Sequence, residues 1–390
     1  MTGIPLTAGF IALTDAGPLI VARELGFAEE EGLELKLSRQ PSWSALRDQL
    51  AFGQVQAAHL LSPLPVAMTL GLGGLGSAVD VVQVMSIGGM IIGVSTALGL
   101  RLREGSHDFG FDDAYAAGRQ LIAVTGGALR IGVPFPFSMH AELVHYWLEA
   151  LGPLPPGLVI RTVPPPQMAE AMAAGEIDAF CVGEPWGSIA VETGVGELLL
   201  PGSAIWSFAP DKVLAMRHDV VEAEPDMTAR LMRALWKGGR WLAEPGNIIA
   251  AAELLARPEY VGVPRAVIER ALTQHIVTMP GGEPRPIPQF QEFFAGLAPF
   301  PWRSQGEWIG ARLARRYGLD AEHAREVGKA VFRSDLYRAN LGRVGALQPG
   351  AFAKVEGALE ADLALPTQQG TMILSRSRFF DGAIFDPDRS

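Results

Sequence analysis

Residues 178–186 read DAFCVGEPW, and this stretch decides the fold class. A helix-like segment, 167–174, precedes it and ends at Gly175, a residue that suits the left-handed position closing a helix. The apolar run 177–182 then predicts a short buried strand, which stops at Gly183-Glu184. A bare backbone and a carboxylate therefore meet at the carboxyl end of a strand, the usual place for a ligand in an open α/β sheet.

The alternation of strand and helix recurs along the chain. Asp15 can cap a first helix, and residues 44–52 and 140–151 have helical patterns. Apolar runs between such segments predict further strands at 6–13, 33–37, 57–61, 81–85, 130–134, 158–163 and 212–216. This order predicts an α/β fold whose sheets are mostly parallel and carry helices on their faces.

A chain of 390 residues is long for one core, so we expect two lobes. We place the first part of lobe I at 1–88 and lobe II at 89–205, with the Gly88-Gly89 loop beginning the crossing. Residues 206–345 then return to lobe I and add a helical extension. The remaining residues, 346–390, show no clear period and predict a tail or an irregular wrap.

Composition excludes several classes of protein. A net charge of -10 argues against a nucleic-acid surface, which needs clustered Lys and Arg. The single cysteine, Cys181, cannot form an internal disulfide, so the chain does not depend on an oxidising compartment. Its beginning lacks the pattern of an export signal, and no apolar run is long enough for a transmembrane helix. We therefore expect a cytoplasmic protein, or one whose leader has been removed.

Conventional catalytic motifs are missing from the sequence. It contains no GxSxG elbow, P-loop, HExxH helix or Cys/His cluster. His140 and His145 are five residues apart and do not share a helix face as paired metal ligands would. We expect no enzyme activity, no metal and no cofactor.

Hydrogen-bond donors do occur at the starts and ends of predicted elements. Trp43 precedes one helix, His140 begins another, and Lys212 begins the 212–216 strand. An indole, an imidazole and an ammonium are the donors that a small oxyanion requires, and the amino end of a helix adds partial positive charge. Each residue also has an ordinary interpretation: Trp43 in the core, His140 as a cap and Lys212 on the surface.

Several motifs, in order and at similar spacing over about residues 4–345, resemble one known family. They are PLIVARELGFAEEEG at 18–32, PSWSALRD at 41–48, AHLLSP at 58–63, His140 with YWL at 146–148, PPPQM at 164–168, residues 175–186, and FPWRS at 300–304. The family comprises the nitrate- and bicarbonate-binding proteins of bacterial transport and their cytoplasmic relatives, the NasS-type nitrate/nitrite sensors.

This resemblance implies a two-lobe, type II periplasmic-binding-protein-like fold that closes on a planar oxyanion. The family's ligand positions fall on Trp43, His140, Gly183, Glu184 and Lys212. In this interpretation Lys212 supplies the compensating charge, and Glu184 accepts hydrogen bonds from His140 or Lys212. Where transport members have a Gln, this chain has Met90, next to Gly89; an apolar thioether lacks the hydrogen-bonding capacity of an amide.

The resemblance leaves three functions open. The predicted strand so close to Met1 favours a cytoplasmic nitrate/nitrite sensor, which by resemblance holds a NasT-type RNA-binding antitermination regulator and releases it when the anion binds. The alternative is the substrate-binding component of an ABC-type nitrate/nitrite or bicarbonate transporter. The third is an enzyme on the same fold, such as those of thiamine-pyrimidine or menaquinone synthesis, which would need a nucleophile or base in the cleft.

Overall fold

The computed structural model of the chain describes residues 3–126, 128–367 and 370–388. The first segment alternates strands and helices in the predicted order. Its strands are β1 (Ile4–Phe10), β2 (Leu33–Arg39), β3 (Ala57–Leu61) and β4 (Val79–Gly88), and its helices are α1 (Gly17–Glu24), α2 (Phe27–Glu30), α3 (Trp43–Ala51) and α4 (Pro63–Thr69).

The second segment begins at Met90 and has the same kind of alternation. Its strands are β5 (Met90–Ser95), β6 (Ala128–Val133), β7 (Gly157–Thr162), β8 (Ala179–Gly183) and β9 (Gly196–Pro201), and its helices are α5 (Thr96–Glu104), α6 (Ala114–Thr125), α7 (Met139–Ala150), α8 (Met168–Ala173) and α9 (Trp186–Glu192).

The rest of the chain is mostly helical. Its strands are β10 (Pro210–Arg217), β11 (His275–Val277), β12 (Pro284–Pro286), β13 (Gln291–Glu292), β14 (Leu363–Thr367) and β15 (Gly370–Leu374). Its helices are α10 (His218–Ala223), α11 (Pro225–Leu242), α12 (Ile248–Leu255), α13 (Arg265–Leu272), α14 (Arg303–Tyr317), α15 (Ala321–Val331) and α16 (Ser334–Leu341).

Two large sheets organise these elements, and we call each sheet with its helices a lobe. The sheet of lobe I has the order β13-β4-β10-β3-β1-β2, and the sheet of lobe II has the order β7-β6-β8-β5-β9. In lobe I, β1 runs parallel to β2 and β3, whereas β10 runs antiparallel to β3 and β4. In lobe II, β6 runs parallel to β7 and β8, and β5 runs antiparallel to β8 and β9. The fold is thus the predicted α/β fold, and each sheet is mixed, with antiparallel pairs as well as parallel ones.

Burial follows the position of each strand. The central strand β3 is buried at every residue, whereas β2 at the edge alternates buried Leu33 and Leu35 with exposed Glu34 and Lys36. Such alternation is typical of a strand with one face on the core and one in water. None of the helices in the described ranges combines the length and apolar content that a bilayer crossing requires.

The C-terminal residues wrap across both lobes. Glu356 accepts a hydrogen bond from Ser304 at the start of α14, 2.8 Å away. Further along, Phe379 packs on Trp206, with ring centroids 4.8 Å apart, and Tyr146 of α7 donates to the Asp381 carboxylate at 2.8 Å. The segment that lacked a periodic pattern is thus held by aromatic packing and by single hydrogen bonds.

Candidate functional site

Lys212 lies at the centre of a buried ionic cluster. It is the third residue of β10, between β3 and β4, and its side chain is completely buried. Its Nζ lies 2.9 Å from Asp15 Oδ2 and 2.5 Å from Asp211 Oδ2. Burial acts to lower the pKa of Lys212, but the two carboxylates outweigh it and raise that pKa above its ordinary value. A lysine can be charged at this depth because these carboxylates compensate it.

Asp15 connects this lysine to a histidine. It lies in the 3-10 turn Thr14–Ala16 that follows β1, and its Oδ1 is 2.8 Å from His59 Nε2. Because the Ile11 backbone N–H donates to His59 Nδ1 at 3.5 Å, the ring proton of His59 is on Nε2, the nitrogen on the Asp15 side, although the two groups lack the geometry of a hydrogen bond. Burial alone would raise the pKa of Asp15, but Lys212 and His59 together lower it to about 2.

The predicted capping role of Asp15 is wrong. Neither the 3-10 turn nor α1 has a side-chain cap hydrogen bond, and the Asp15 carboxylate turns inward to the ionic pair instead. Asp15 is thus a buried carboxylate paired with Lys212, and it does not cap a helix.

His140 approaches the cluster from lobe II. It is the second residue of α7, whose N-cap Ser138 accepts a hydrogen bond from Ala141 N–H, so the amino end of the helix lies here. His140 Nδ1 is 3.7 Å from Asp211 Oδ1, beyond hydrogen-bonding distance. Neither ring nitrogen has a hydrogen-bond partner among the described residues. Burial, and then the charge of Lys212, lower the pKa of His140 well below its ordinary value, so the free imidazole is neutral.

Gly183 brings bare backbone to the same place. It ends β8 and pairs with Met90 across the sheet. A Cβ atom at Gly183 would lie 3.5 Å from Asp15 Oδ2 and 3.7 Å from His140 Nε2. The same Cβ atom would lie 3.1 Å from Leu13 Cδ2, so the position is too crowded for a side chain, and the backbone itself faces the imidazole and the ionic pair.

Trp43 closes the site from lobe I. It is the first residue of α3; its ring centroid is 5.6 Å from that of His59 and 5.7 Å from Lys212 Nζ. Its indole Nε1 is buried and has no hydrogen-bond partner within the described ranges. A buried donor without a partner is unusual in folded proteins, and this one lies beside the ammonium of Lys212.

The predicted role of Glu184 is wrong. Its Oε2 accepts from the Ser188 backbone N–H in α9 at 3.3 Å, and its carboxylate pairs with neither His140 nor Lys212. Its main chain does join the lobes, because the Glu184 carbonyl accepts from Thr14 N–H at 3.0 Å. Burial raises the pKa of Glu184 to about 7. Asp15 and Asp211 hold the lysine instead.

Met90 and Gly89 lie next to this crossing. Met90 is fully buried at the start of β5, and the Gly89 carbonyl accepts from Glu184 N–H at 3.2 Å. A Cβ atom at Gly89 would lie 2.8 Å from Nε2 of Gln291, a buried amide nitrogen without a partner in the described residues. The structure thus places the amide of Gln291, from β13, beside Gly89. This chain therefore has an amide next to the loop, although its residue 90 is the apolar Met90.

The sequence prediction missed two members of the cluster, His59 and Asp211, and gave Asp15 a different role. His59 interrupts the apolar strand 57–61, and Asp211 directly precedes Lys212; both were visible as polar residues in apolar surroundings. The pKa of Asp211 is raised to about 7 by burial, and also by Asp15, against the lowering effect of Lys212. The charge of Lys212 is therefore already matched by Asp15, which corrects the view that the lysine is free to compensate a ligand.

A different cluster has the spacing of metal ligands. Asp80, His218 and Glu222 bring one ligand atom each within 4.8 Å of one another. Arg333, however, lies 2.8 Å from Asp80 and 3.2 Å from Glu222. A guanidinium already pairs with the carboxylates that a cation would need, so this cluster is an ion-pair network.

The fold and the site together define a two-lobe binding protein of the periplasmic-binding-protein type. Residues 4–256 match the NMT1-like family, and the chain belongs to that family. The crystal structure of the periplasmic nitrate-binding protein NrtA from Synechocystis is similar over 99% of this chain and 96% of that one, with a TM-score of 0.84 and 26% identity.

Relatives in cyanobacteria have related names. The nitrate import ATP-binding protein NrtC of Synechocystis is 33% identical over 86% of this chain, which spans 49% of that protein. This chain therefore spans about half the length of the first curated relatives that it matches. The nitrate/nitrite binding protein NrtA of Nostoc is 28% identical over 98% of this chain and 82% of its own length.

Proposed function

We propose that this protein binds nitrate or nitrite between its two lobes, as the substrate-binding component of an ABC-type importer. The observation that carries the proposal is the set of buried donors without partners, His140 and Trp43, beside the ammonium of Lys212. A weakly basic anion needs several preorganised donors in a dry site, since no single contact to it is strong.

The geometry of the site suits a small ligand that residues of both lobes contact. Lobe I contributes Lys212 and Trp43, and lobe II contributes His140 and the backbone at Gly183. A neutral imidazole donates without adding charge, and Gly183 brings its backbone to the same place without a side chain. An anion held by both lobes stabilises the closed arrangement, because only that arrangement brings all the donors together.

Transport is the better supported setting, since NrtA and NrtC relatives carry nitrate binding or nitrate import in their names. The cytoplasmic sensor stays a prediction, and it has a direct test. A sensor forms a complex with a NasT-type regulator that nitrate or nitrite dissociates, whereas a transport component forms no such complex and binds the membrane subunits of an importer.

The binding proposal is tested by calorimetric titration of the purified chain with nitrate, nitrite, bicarbonate and chloride. We expect nitrate or nitrite to bind with one site per chain and with the highest affinity of the four. Tighter binding of bicarbonate than of either nitrogen oxyanion, or binding of none of them, would overturn the proposal.

A further inference from the structure

The Asp211–His140 pair lies between the lobes and is incompletely hydrogen-bonded. Asp211 belongs to β10 of lobe I and His140 to α7 of lobe II; the facing atoms, Oδ1 and Nδ1, are 3.7 Å apart. Both residues are buried, and neither of these two atoms has a hydrogen-bond partner among the described residues. The other oxygen of Asp211 is occupied, since Oδ2 lies 2.5 Å from Lys212 Nζ.

The position of protons in this pair decides whether His140 can donate to a ligand. Nε2 is the nitrogen on the Gly183 side, 3.7 Å from a Cβ atom built there. If Asp211 is ionised, a neutral His140 keeps its proton on Nδ1, facing that carboxylate, and Nε2 then presents a lone pair. A lone pair repels an anion. With one more proton on the pair, Nε2–H becomes a donor.

We propose, on the basis of the anion-binding function proposed above, that the Asp211–His140 pair takes up one proton when the anion binds. The equilibrium is protein plus anion plus one solvent proton, giving a complex in which the Asp211 carboxyl faces Nδ1 and Nε2–H donates to the anion. Asp211 is in this view a positioning residue, which acts on the ligand through His140.

The charges around Asp211 support this equilibrium. The groups that face it or the pair are Lys212 on its own strand, Asp15 on the 3-10 turn, His59 on β3 behind Asp15, and Cys181 on β8. Lys212 is the one cation of this group, and Asp15 already matches its charge. Burial raises the pKa of Asp211 to about 7, and an anion beside the pair raises it further.

The experiment measures nitrate affinity from pH 5.5 to 9, because nitrate itself does not titrate in that range. If the pair gains a proton on binding, affinity falls about tenfold for each pH unit above about 7 and is flat below it. Calorimetry at pH 8.5 in two buffers of different ionisation enthalpy should then show uptake of about one proton per nitrate, falling to none at pH 5.5.

Asp211→Asn tests the assignment, because an amide can donate to Nδ1 without titrating. We expect this variant to bind nitrate at pH 5.5 within about threefold of the wild type and to lose most of the slope above pH 7. Asp219→Asn is the matched control: this exposed carboxylate pairs with Arg217 at the surface, and its variant should keep the wild-type profile.

The outcomes separate the two proposals. Failure of nitrate and nitrite to bind at any pH overturns the proposed function. Binding by the wild type with a flat pH profile and no proton uptake overturns the present inference alone. A folded Asp211→Asn chain that keeps the wild-type slope also overturns it. If circular dichroism shows that this variant does not fold, proton uptake by the wild type decides.

Discussion

Lobe I and lobe II contribute different chemistry to the same site. Lobe I carries the ionic cluster, in which Lys212 lies within 2.9 Å of Asp15 and Asp211, and Asp15 lies 2.8 Å from His59. Lobe II brings His140, whose ring nitrogens have no partner among the described residues, and the bare backbone of Gly183.

This difference between the lobes predicts different effects on protein stability and on ligand binding. The charges of lobe I compensate each other without a ligand, so they hold their own sheet together. The imidazole of lobe II has no acceptor among the described residues, so in the proposed function the ligand supplies one. Trp43 is an exception in lobe I, because its indole N–H also lacks a partner in the described residues.

The largest effect is expected from Lys212→Met. This change leaves Asp15 and Asp211 buried without a cation, so we expect nitrate binding to be lost and the free energy of unfolding to fall by about 3–5 kcal/mol. Calorimetry and urea denaturation measure the two effects. Lys237→Met, at a partly exposed pair with Glu31, should lower stability by less than about 1 kcal/mol and leave binding unchanged. Nitrate affinity equal to wild type in Lys212→Met would contradict the role of the lysine.

His140→Ala should affect binding more than stability. A hydrogen bond to a charged ligand contributes about 1.5–3 kcal/mol, so we expect nitrate affinity to fall roughly 10- to 100-fold. The ring has no hydrogen bond in the described structure to lose, but it is buried, so its removal leaves a cavity and should lower the thermal midpoint by less than Lys212→Met does. His145→Ala on the same helix is the control. A large loss of stability with unchanged nitrate affinity would contradict the expectation that His140 of lobe II acts in ligand binding.

Trp43→Phe should have a smaller effect. The aromatic ring stays, but the buried indole N–H is lost, which we expect to weaken nitrate binding about fivefold, or about 1 kcal/mol. Trp302→Phe removes another buried N–H without a partner, outside the cleft, and should leave affinity unchanged. Equal effects of the two variants would show that Trp43 acts only through packing.

Glu184→Gln should have the smallest effect on affinity, less than about twofold, because its carboxylate accepts from the Ser188 backbone N–H in α9 and holds no donor of the site. Its effect on stability depends on pH. The folded-state pKa is about 7 against an ordinary 4.5, so the folded protein keeps a proton that the unfolded chain releases, and wild-type stability falls as pH rises through this window.

The amide of the glutamine variant does not titrate, so the variant does not show this loss of stability with rising pH. Above pH 7 it should be more stable than wild type by about 3 kcal/mol, and the advantage should vanish below about pH 4.5, as denaturation across pH measures. Glu176→Gln at an exposed position is the control. A difference independent of pH would show that Glu184 does not titrate in this range.

Local patterns predicted most elements of the fold. Strand 57–61 matches β3 residue for residue, and helix 140–151 lies one residue from α7. The first strand was predicted to extend to residue 13, but β1 ends at Phe10. Residues 11–13 are apolar, and they are buried outside the sheet, before the turn that carries Asp15. Composition alone does not distinguish these two kinds of burial.

The site was only partly predictable, for a physical reason. Position along the chain shows which residues reach the end of a strand, but not where each side chain points. Glu184 follows Gly183, yet its carboxylate turns to the next helix. Asp15 and Lys212 are almost 200 residues apart, and their pairing is set by the sheet order β10-β3-β1, since Asp15 lies in the turn after β1. Such a contact leaves no local pattern.

The enclosure of Lys212 has a kinetic consequence. Lys212, His140 and Trp43 have at most 1% of their surface exposed, so in this closed form a ligand among them has no direct path to solvent. The dwell time of a bound ion is then set by how often the lobes separate, and contacts that both lobes make to the ion lower that frequency. A partner that separates the lobes would release the ion by removing the contacts of one lobe.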